Sequence, residues 1–200
     1  MRPVQLVYIA IVLLVSAAHV QAVTLTFDEI PPGESPNYYR PIYGTYFAGF
    51  FYVADHSQSS WGRARSGSNV LAYQGYPSDM GAMLKFVYPN NEYFRIYSLG
   101  AYFSTQDNTV VRLTGYNAVV EHPVSSILVG QSGQSWENVY VELFSPEGAI
   151  DFVMFEPVSS LDALNHFCAD DMTFTLVPEP SSLLALGGGL GALGLLRRRK

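Results

Sequence analysis

Short stretches of alternating apolar and polar residues recur between residues 23 and 176, and turn-forming residues separate them. No run of a dozen residues in this region repeats its apolar positions with the helical period of 3.6. The pattern therefore predicts antiparallel β-structure, with at most one helical turn over residues 158–165. The predicted strands are Val23–Phe27, Tyr46–Val53, Val70–Tyr73, Ala82–Val87, Tyr93–Phe103, Val110–Tyr116, Val124–Val129, Trp136–Phe144, Ala149–Glu156 and Asp170–Leu176.

Strands of this number and spacing favour an all-β fold, a two-sheet antiparallel β-sandwich of the jelly-roll type, over a fold of alternating strands and helices. No internal repeat of fixed period is visible, which disfavours propellers and solenoids. The two alternating runs Val139–Phe144 and Ala149–Phe155 are joined by Pro146-Glu147-Gly148. This arrangement predicts a β-hairpin.

The first 22 residues have the three parts of a secretory signal peptide. Arg2 provides the charged start, residues 7–15 are apolar, and small residues precede Ala22. We predict a signal-peptide helix that is cleaved after Ala22, so that the remainder of the chain is exported. The alternative is a buried helix or an uncleaved anchor, but strand-like alternation begins at once with Val23–Phe27.

The last residues form a second, oppositely ordered signal. Pro178-Glu179-Pro180 is followed by residues 183–196, which are only Leu, Ala and Gly, and then by the basic residues 197–200. The apolar run is shorter than the roughly 20 residues of a comfortable membrane span, although snorkelling arginines and bilayer thinning compensate for such a mismatch. We predict a single transmembrane or sorting helix with its basic end in the cytoplasm. The G-x-G-x-x-G pattern at residues 189–194 lacks the strand and acidic residue that dinucleotide binding requires.

This tail, on a chain with a signal peptide, resembles the PEP-CTERM sorting signal of Gram-negative bacteria. The resemblance implies that an exosortase-type membrane enzyme recognises Pro178, Glu179 and Pro180 and processes the tail. It also implies that the C-terminal helix anchors the protein in the inner membrane only transiently, before the body reaches the cell surface or the extracellular matrix. The predicted organisation is a signal peptide (1–22), a β-sandwich domain (23–176) and a sorting signal (177–200).

Composition restricts the function of the body. The chain has 200 residues, 48% of them hydrophobic and 14% charged, which suits one domain with a substantial core. Residues 23–176 contain 6 Lys and Arg against 16 Asp and Glu, so nucleic acid is not an expected partner. The single cysteine, Cys168, excludes an intramolecular disulfide and a multi-cysteine zinc site.

The two ends of the body carry acidic residues in strand-like surroundings. Phe27-Asp28-Glu29 at the start and Asp170-Asp171 near the end resemble the first and last strands of jelly rolls of the carbohydrate-binding-module type. That resemblance implies that the terminal strands are adjacent and that Asp28, Glu29, Asp170 and Asp171 are candidate ligands of a structural Ca²⁺. Since strand side chains alternate, Asp170 and Asp171 are predicted to face opposite sides, with only one of them a ligand. The alternative is that all four are solvated acids.

No catalytic signature accompanies these features. The body contains no G-x-S-x-G, H-E-x-x-H or phosphate-binding loop. His166 and Cys168 would share one face of a strand, but Cys168 is predicted to be a small buried hydrophobe. A pair of carboxylates across a groove would suffice for glycoside hydrolysis, yet the expectation is a protein without enzymatic activity.

Aromatic residues are the remaining signal, with fourteen Tyr, twelve Phe and two Trp. Most are expected in the core, and Trp61 is the candidate for an exposed ring that stacks on a sugar. The hypothesis is an exported β-sandwich protein that binds or organises extracellular polysaccharide. The alternatives are a purely structural surface or biofilm protein and a glycan-acting hydrolase.

Overall fold

A computed structural model of the chain describes residues 21–49, 51–57, 64–75, 82–87, 93–105, 109–119, 122–158 and 165–177. The predicted sorting helix and residues 1–20 of the predicted signal peptide lie outside these ranges, whereas Ala22, the last residue of that predicted peptide, is the first residue of β1. Among the residues described, no helix has the length and apolar character needed to cross a membrane. The elements are β1 (Ala22–Leu25), a 3₁₀ helix (Pro36–Tyr39), α1 (Arg40–Tyr43), β2 (Thr45–Ala48), β3 (Phe51–Asp55), β4 (Asn69–Gly75), β5 (Ala82–Phe86), β6 (Ile96–Thr105), β7 (Val111–Asn117), β8 (His122–Val129), β9 (Trp136–Phe144), β10 (Phe152–Pro157) and β11 (Asn165–Leu176).

The strands form two antiparallel sheets, which confirms the predicted all-β sandwich. The six-stranded sheet has the order β3-β4-β11-β6-β9, and β1 also pairs with β11. The five-stranded sheet has the order β2-β5-β10-β7-β8. Ala22–Leu176 constitutes one compact unit.

Alternation along the strands places one face of each sheet in a shared core. In β5, Leu84 and Phe86 are fully buried, whereas Lys85 between them is partly exposed. Phe155 of β10 and Phe167 of β11 come from opposite sheets, and their rings stack with centroids 5.8 Å apart and planes 10° apart. Phe51 meets Phe155 edge-on at 5.2 Å. Burial of these large rings is the main stabilising contribution to the fold.

The predicted strand Tyr46–Val53 is two strands in different sheets. β2 ends at Ala48 in the five-stranded sheet, and β3 begins at Phe51 in the six-stranded sheet. Gly49 between them has a φ of +101°, a conformation that glycine adopts readily and that interrupts an extended chain. The prediction of one strand was wrong because continuous apolar character concealed this break.

The predicted hairpin between the runs 139–144 and 149–155 was also wrong. β9 pairs with β6 in the six-stranded sheet, whereas β10 lies between β5 and β7 in the other sheet. The connection crosses between the sheets and is held by hydrogen bonds in both directions between Ile96 and Ile150 and by the bond from Ser145 N–H to the Tyr97 carbonyl. Alternation fixes which face of a strand is buried, but it does not select the neighbouring strand.

The two terminal strands of the sandwich are adjacent, as the resemblance implied. β1 pairs with β11 from Ala22 opposite Thr175 to Leu25 opposite Met172. β11 begins at Asn165, five residues earlier than predicted, and its first half pairs with β4. β1 and β4 therefore follow one another along the same side of β11, while β6 occupies the other side.

Candidate functional site

A row of large side chains crosses the outer face of the five-stranded sheet. Tyr46 of β2 is opposite Lys85 of β5, which is opposite Phe152 of β10, which in turn is opposite Tyr116 of β7. All four side chains are partly exposed, since their neighbours along each strand point into the core. With strands about 4.8 Å apart, the row is roughly 14 Å long. We call this surface the aromatic face.

An open groove of about 500 Å³ lies at the Tyr116 end of the aromatic face. Its lining is Tyr93, Tyr116, Ala118, Phe152, Met154 and Glu156. The rings of Tyr116 and Phe152 are stacked, with centroids 5.1 Å apart and planes 10° apart, and Tyr93 lies 6.4 Å from Phe152 in a tilted arrangement. The result is a cluster of partly exposed rings, here called the aromatic platform, beside a depression.

Polar groups border this platform. The hydroxyl of Thr114 donates a 3.1 Å hydrogen bond to Glu156 Oε2, and Arg112 is directly opposite Glu156 in the register of β7 and β10. At the other end of the row, the guanidinium carbon of Arg40 lies 5.1 Å from the centre of the Tyr46 ring. Rings flanked by hydrogen-bonding groups are the usual composition of a surface that binds sugars.

A buried carboxylate fixes one wall of the groove. Asp151 Oδ2 accepts the N–H of Ala118 at 2.7 Å, and Oδ1 lies 3.4 Å from Nε of the half-exposed Arg95. The backbone N–H of Asp151 also donates to the carbonyl of Tyr116. These contacts tie the end of β7 to the start of β10 and so hold the Tyr116 and Phe152 rings in position.

The sequence-predicted carboxylates lie elsewhere, around a loop on the outer side of the six-stranded sheet. We call residues 64–69, which lead into β4, the clasped loop. Asp28 Oδ1 accepts the N–H groups of Ser68 (2.9 Å) and Asn69 (3.1 Å). Asp170 Oδ2 accepts the N–H groups of Arg65 (2.6 Å) and Ser66 (2.8 Å). The acids of the first and last strands therefore do meet, but on the backbone of this loop.

The prediction that Asp170 and Asp171 face opposite sides was wrong. Asp171 Oδ1 accepts a 2.6 Å hydrogen bond from the hydroxyl of Ser66, the residue whose N–H binds Asp170. Asp171 has a φ of +47°, and the pairing register of β11 with β6 shifts between Asp170 and Thr173. This β-bulge turns both side chains toward the clasped loop.

The structure does not arrange the four acids as a calcium site. Both oxygens of Asp170 already accept N–H groups, Oδ1 from Asp171 and Oδ2 from Arg65 and Ser66. Glu29 binds Tyr39 instead of the clasped loop. Its Oε2 accepts a 2.6 Å hydrogen bond from the Tyr39 hydroxyl, and this bond lowers the pKa of Glu29. Within the described ranges, no group of three or more His, Cys, Asp or Glu side chains is arranged to hold a metal ion. Calcium prefers six to eight converging oxygens, whereas N–H donors stabilise Asp28 and Asp170 here.

Burial gives Asp170 an unusual titration. The residue is 1% exposed, and this desolvation raises its pKa to about 6, although the N–H donors of Ser66, Asp171 and Arg65 act in the opposite direction. A carboxylate removed from water favours its neutral form unless hydrogen bonds compensate. The N–H groups of the clasped loop compensate only in part for the loss of hydration of the Asp170 carboxylate.

Of the remaining sequence candidates, namely Trp61, the sorting motif and Cys168, the structure describes only Cys168. Trp61 and the sorting-motif residues Pro178, Glu179 and Pro180 lie outside the described residues. Cys168 is buried, as predicted, and burial raises the pKa of its thiol to about 11. A thiol with that pKa is a poor nucleophile at neutral pH.

The aromatic face was missed by sequence reasoning. Its four residues come from four strands that are far apart in sequence, and only the register aligns them. One signal was available, because β10 carries apolar residues on both faces: Val153 and Phe155 are buried in the core, while Phe152 and Met154 are partly exposed. A strand that is apolar on its exposed side indicates a binding surface.

Comparison with solved structures supports the class of fold. The K2 cleaved adhesin domain of Lys-gingipain is similar over 78% of this chain and 100% of its own, with a TM-score of 0.51 and 16% identity. A family 29 carbohydrate-binding module covers 78% of this chain and 90% of its own (TM-score 0.45, 13% identity). The CBM22-1 xylan-binding domain of Paenibacillus barcinonensis Xyn10C covers 82% and 99% (TM-score 0.45, 14% identity). The similarity to the K2 domain, which extends over the whole of that domain, supports a shared β-sandwich fold.

Comparison with protein families identifies the tail. Residues 176–200 match the PEP-CTERM protein-sorting motif, so the resemblance seen in the sequence is confirmed. The motif indicates an exported protein that is sorted to the cell surface. No curated protein matches the chain.

Proposed function

We propose that the exported β-sandwich binds a polysaccharide on its aromatic face. The observation that carries this proposal is the cross-strand row in which Phe152 and Tyr116 present stacked, partly exposed rings. Flat rings attract the apolar faces of sugar rings, and the adjacent Glu156 and Arg112 are suited to hydrogen bonds with hydroxyl groups.

The shape of the surface suits a polymer. The groove is open, and the row continues beyond it across β5 to Tyr46 of β2. An extended chain lying along such a row contacts several strands at once, whereas a small molecule is usually enclosed in a pocket that buries most of its surface.

We propose that this protein binds glycans without cleaving them. Glycoside hydrolysis uses two carboxyl groups on either side of the scissile bond. Glu156 is the single carboxylate that lines the described groove, and it already accepts a hydrogen bond from Thr114. Incubation of the protein with each bound polysaccharide tests this, and release of reducing ends would contradict it.

The binding proposal is tested by affinity electrophoresis of the full-length protein through gels that contain soluble polysaccharides. Phe152→Ala and Tyr116→Ala should each abolish the retardation that the wild type shows. The matched control is Tyr102→Ala on the outer face of the other sheet, where Tyr102 packs against Tyr140 at 5.2 Å. If Phe152→Ala and Tyr102→Ala migrate alike in every gel, the aromatic face is not the binding surface.

We propose that the partner for sorting is an exosortase-type membrane enzyme that processes the tail, and that the C-terminal helix anchors the chain until then. The match of residues 176–200 supports this. Replacement of Pro178, Glu179 and Pro180 by alanine should leave an unprocessed precursor in the membrane fraction. Normal processing of that variant would contradict the proposal.

A further inference from the structure

Lys85 is a cation that lies among the aromatic residues of the aromatic face. It is the only lysine between residues 23 and 176, and it lies in the middle of the aromatic face, between Tyr46 on β2 and Phe152 on β10. Its side chain is partly buried. The aliphatic part of a lysine held between two rings packs on their surfaces, while its ammonium group stays at the solvent boundary.

The charges around Lys85 differ from those of the rest of the body. Residues 23–176 are strongly acidic, with 6 Lys and Arg against 16 Asp and Glu. Four of those six cations, Arg40, Lys85, Arg95 and Arg112, belong to the aromatic face or its border. Such a concentration of cations on one face of an acidic protein produces a local field that attracts anions.

A carboxylate of the protein pairs with one of these cations, since Arg95 lies 3.4 Å from Asp151. Arg112 is the cross-strand neighbour of Glu156 on β10. In the part of the chain that the structure describes, no acidic side chain forms an ion pair with Lys85. Since a partly desolvated ammonium group gains most from an anionic partner, Lys85 provides a site for an anion supplied by a ligand.

We infer that the polysaccharide bound on the aromatic face is anionic, and that its carboxylate or sulfate groups pair with Lys85. This inference rests on the proposed function and specifies its substrate class. The sugar ring that carries the anion lies over Phe152 or Tyr46, next to the ammonium group, while the adjoining sugar stacks on Tyr116. A neutral glycan makes the same stacking contacts but leaves the charge of Lys85 unpaired.

The test compares two polymers with the same sugar backbone and different charge. Full-length protein, purified in mild detergent, is titrated with polygalacturonate and with its methyl-esterified form. We expect the acidic form to bind at least tenfold more tightly, because a hydrogen-bonded ion pair contributes substantially to affinity. Dextran sulfate and neutral dextran form a second pair, which distinguishes sulfate from carboxylate as the preferred anion.

Three variants locate the charge that is responsible. Lys85→Met keeps the aliphatic packing and should remove the preference for the acidic polymer, and Lys85→Arg should retain it. The control is Arg65→Met, which removes a cation of similar setting on the opposite sheet, where Cζ of Arg65 lies 5.1 Å from the centre of the Tyr102 ring. Equal melting temperatures of the variants show that the fold is unchanged.

The outcomes separate this inference from the proposed function. Equal binding of the acidic and esterified polymers, with both lost in Phe152→Ala, overturns the anionic substrate and leaves the binding site in place. A preference for acid that Arg65→Met reduces as much as Lys85→Met also overturns it, since general charge then accounts for the effect. Unchanged binding of both polymers to Phe152→Ala removes the proposed function itself.

Discussion

The carboxylate of Asp28 occupies the space beside Gly67 in which a Cβ atom would lie. Gly67 has a φ of +56°, and the next two residues donate their N–H groups to the same carboxylate. Two constraints therefore meet at this position of the clasped loop. The backbone needs a left-handed conformation, and the neighbouring anion leaves no room for a side chain.

Gly67→Ala should lower the free energy of unfolding by about 1–3 kcal/mol, through backbone strain and displacement of Asp28. Gly33→Ala is the control, because Gly33 also has a positive φ, +88°, but no atom would contact its Cβ within 4 Å. Denaturant unfolding of both variants measures the difference. Equal losses would mean that the Asp28 contact contributes nothing beyond strain.

Asp170 makes stability depend on pH in an unusual direction. Since burial raises its folded-state pKa to about 6, the folded protein binds the proton more readily than the unfolded chain between about pH 4 and 6. This group therefore reduces stability as the pH rises through that window. Asp170→Asn cannot titrate, so its stability relative to the wild type should improve from pH 4 to pH 7.

Asp55 should make stability depend on pH in the opposite direction to Asp170. The hydroxyl and N–H of Ser57 both donate to its Oδ1, at 2.7 and 2.8 Å, and lower its pKa. Asp55→Asn should accordingly lose stability relative to the wild type as the pH rises from about 2 to 4, the range at and below the ordinary pKa of an aspartate. Thermal melts of Asp55→Asn at pH 2.5 and 4.5, and of Asp170→Asn at pH 4.5 and 7.5, provide the comparison, and differences of the same sign would contradict the assignment for Asp170.

Tyr39, the last residue of the 3₁₀ helix, joins this helix to the segment that follows β1 through one buried hydroxyl. The hydroxyl accepts the N–H of Phe27 at 2.9 Å and donates to Glu29. Tyr39→Phe leaves a buried N–H without its acceptor and should cost about 1–3 kcal/mol. Because Glu29 loses the bond that lowers its pKa, the cost should be larger at pH 7 than at pH 3. Tyr38→Phe, at an exposed neighbouring ring, should be neutral by the same unfolding assay.

We expect hydrogen bonds from the clasped loop, rather than a bound Ca²⁺, to stabilise the carboxylates of Asp28 and Asp170. The melting temperature should be the same with calcium and with a chelator. A bound ion at one hundred times its dissociation constant would stabilise by about 2.7 kcal/mol, which corresponds to a rise of roughly 5–10 °C for a domain of this size. A rise of that kind, lost in Asp28→Ala, would restore the calcium site implied by the sequence resemblance.

The class of fold could be predicted because alternation is a local property. Each strand records in its own residues which side is buried, as in Leu84-Lys85-Phe86, and enough such strands define a sandwich. The sorting tail was equally local, since its motif and apolar run are contiguous. Neither inference needed to know which segments touch.

The features that were missed depend on contacts between distant segments. The β9–β10 connection looked like a hairpin until the partners of each strand were known. The orientation of Asp171 depends on a bulge that sequence alternation does not encode. The aromatic face exists only because the register of β2, β5, β10 and β7 aligns Tyr46, Lys85, Phe152 and Tyr116.

The pairing of β1 with β11 has a consequence for when the chain can fold during its synthesis. β11 is bonded to β1, β4 and β6, and it ends at Leu176, where the match to the sorting motif begins. A chain truncated by premature termination before this point lacks the strand around which the six-stranded sheet is built. Synthesis must therefore reach the start of the sorting motif before the six-stranded sheet can form. Incomplete products remain unfolded and are substrates for proteases.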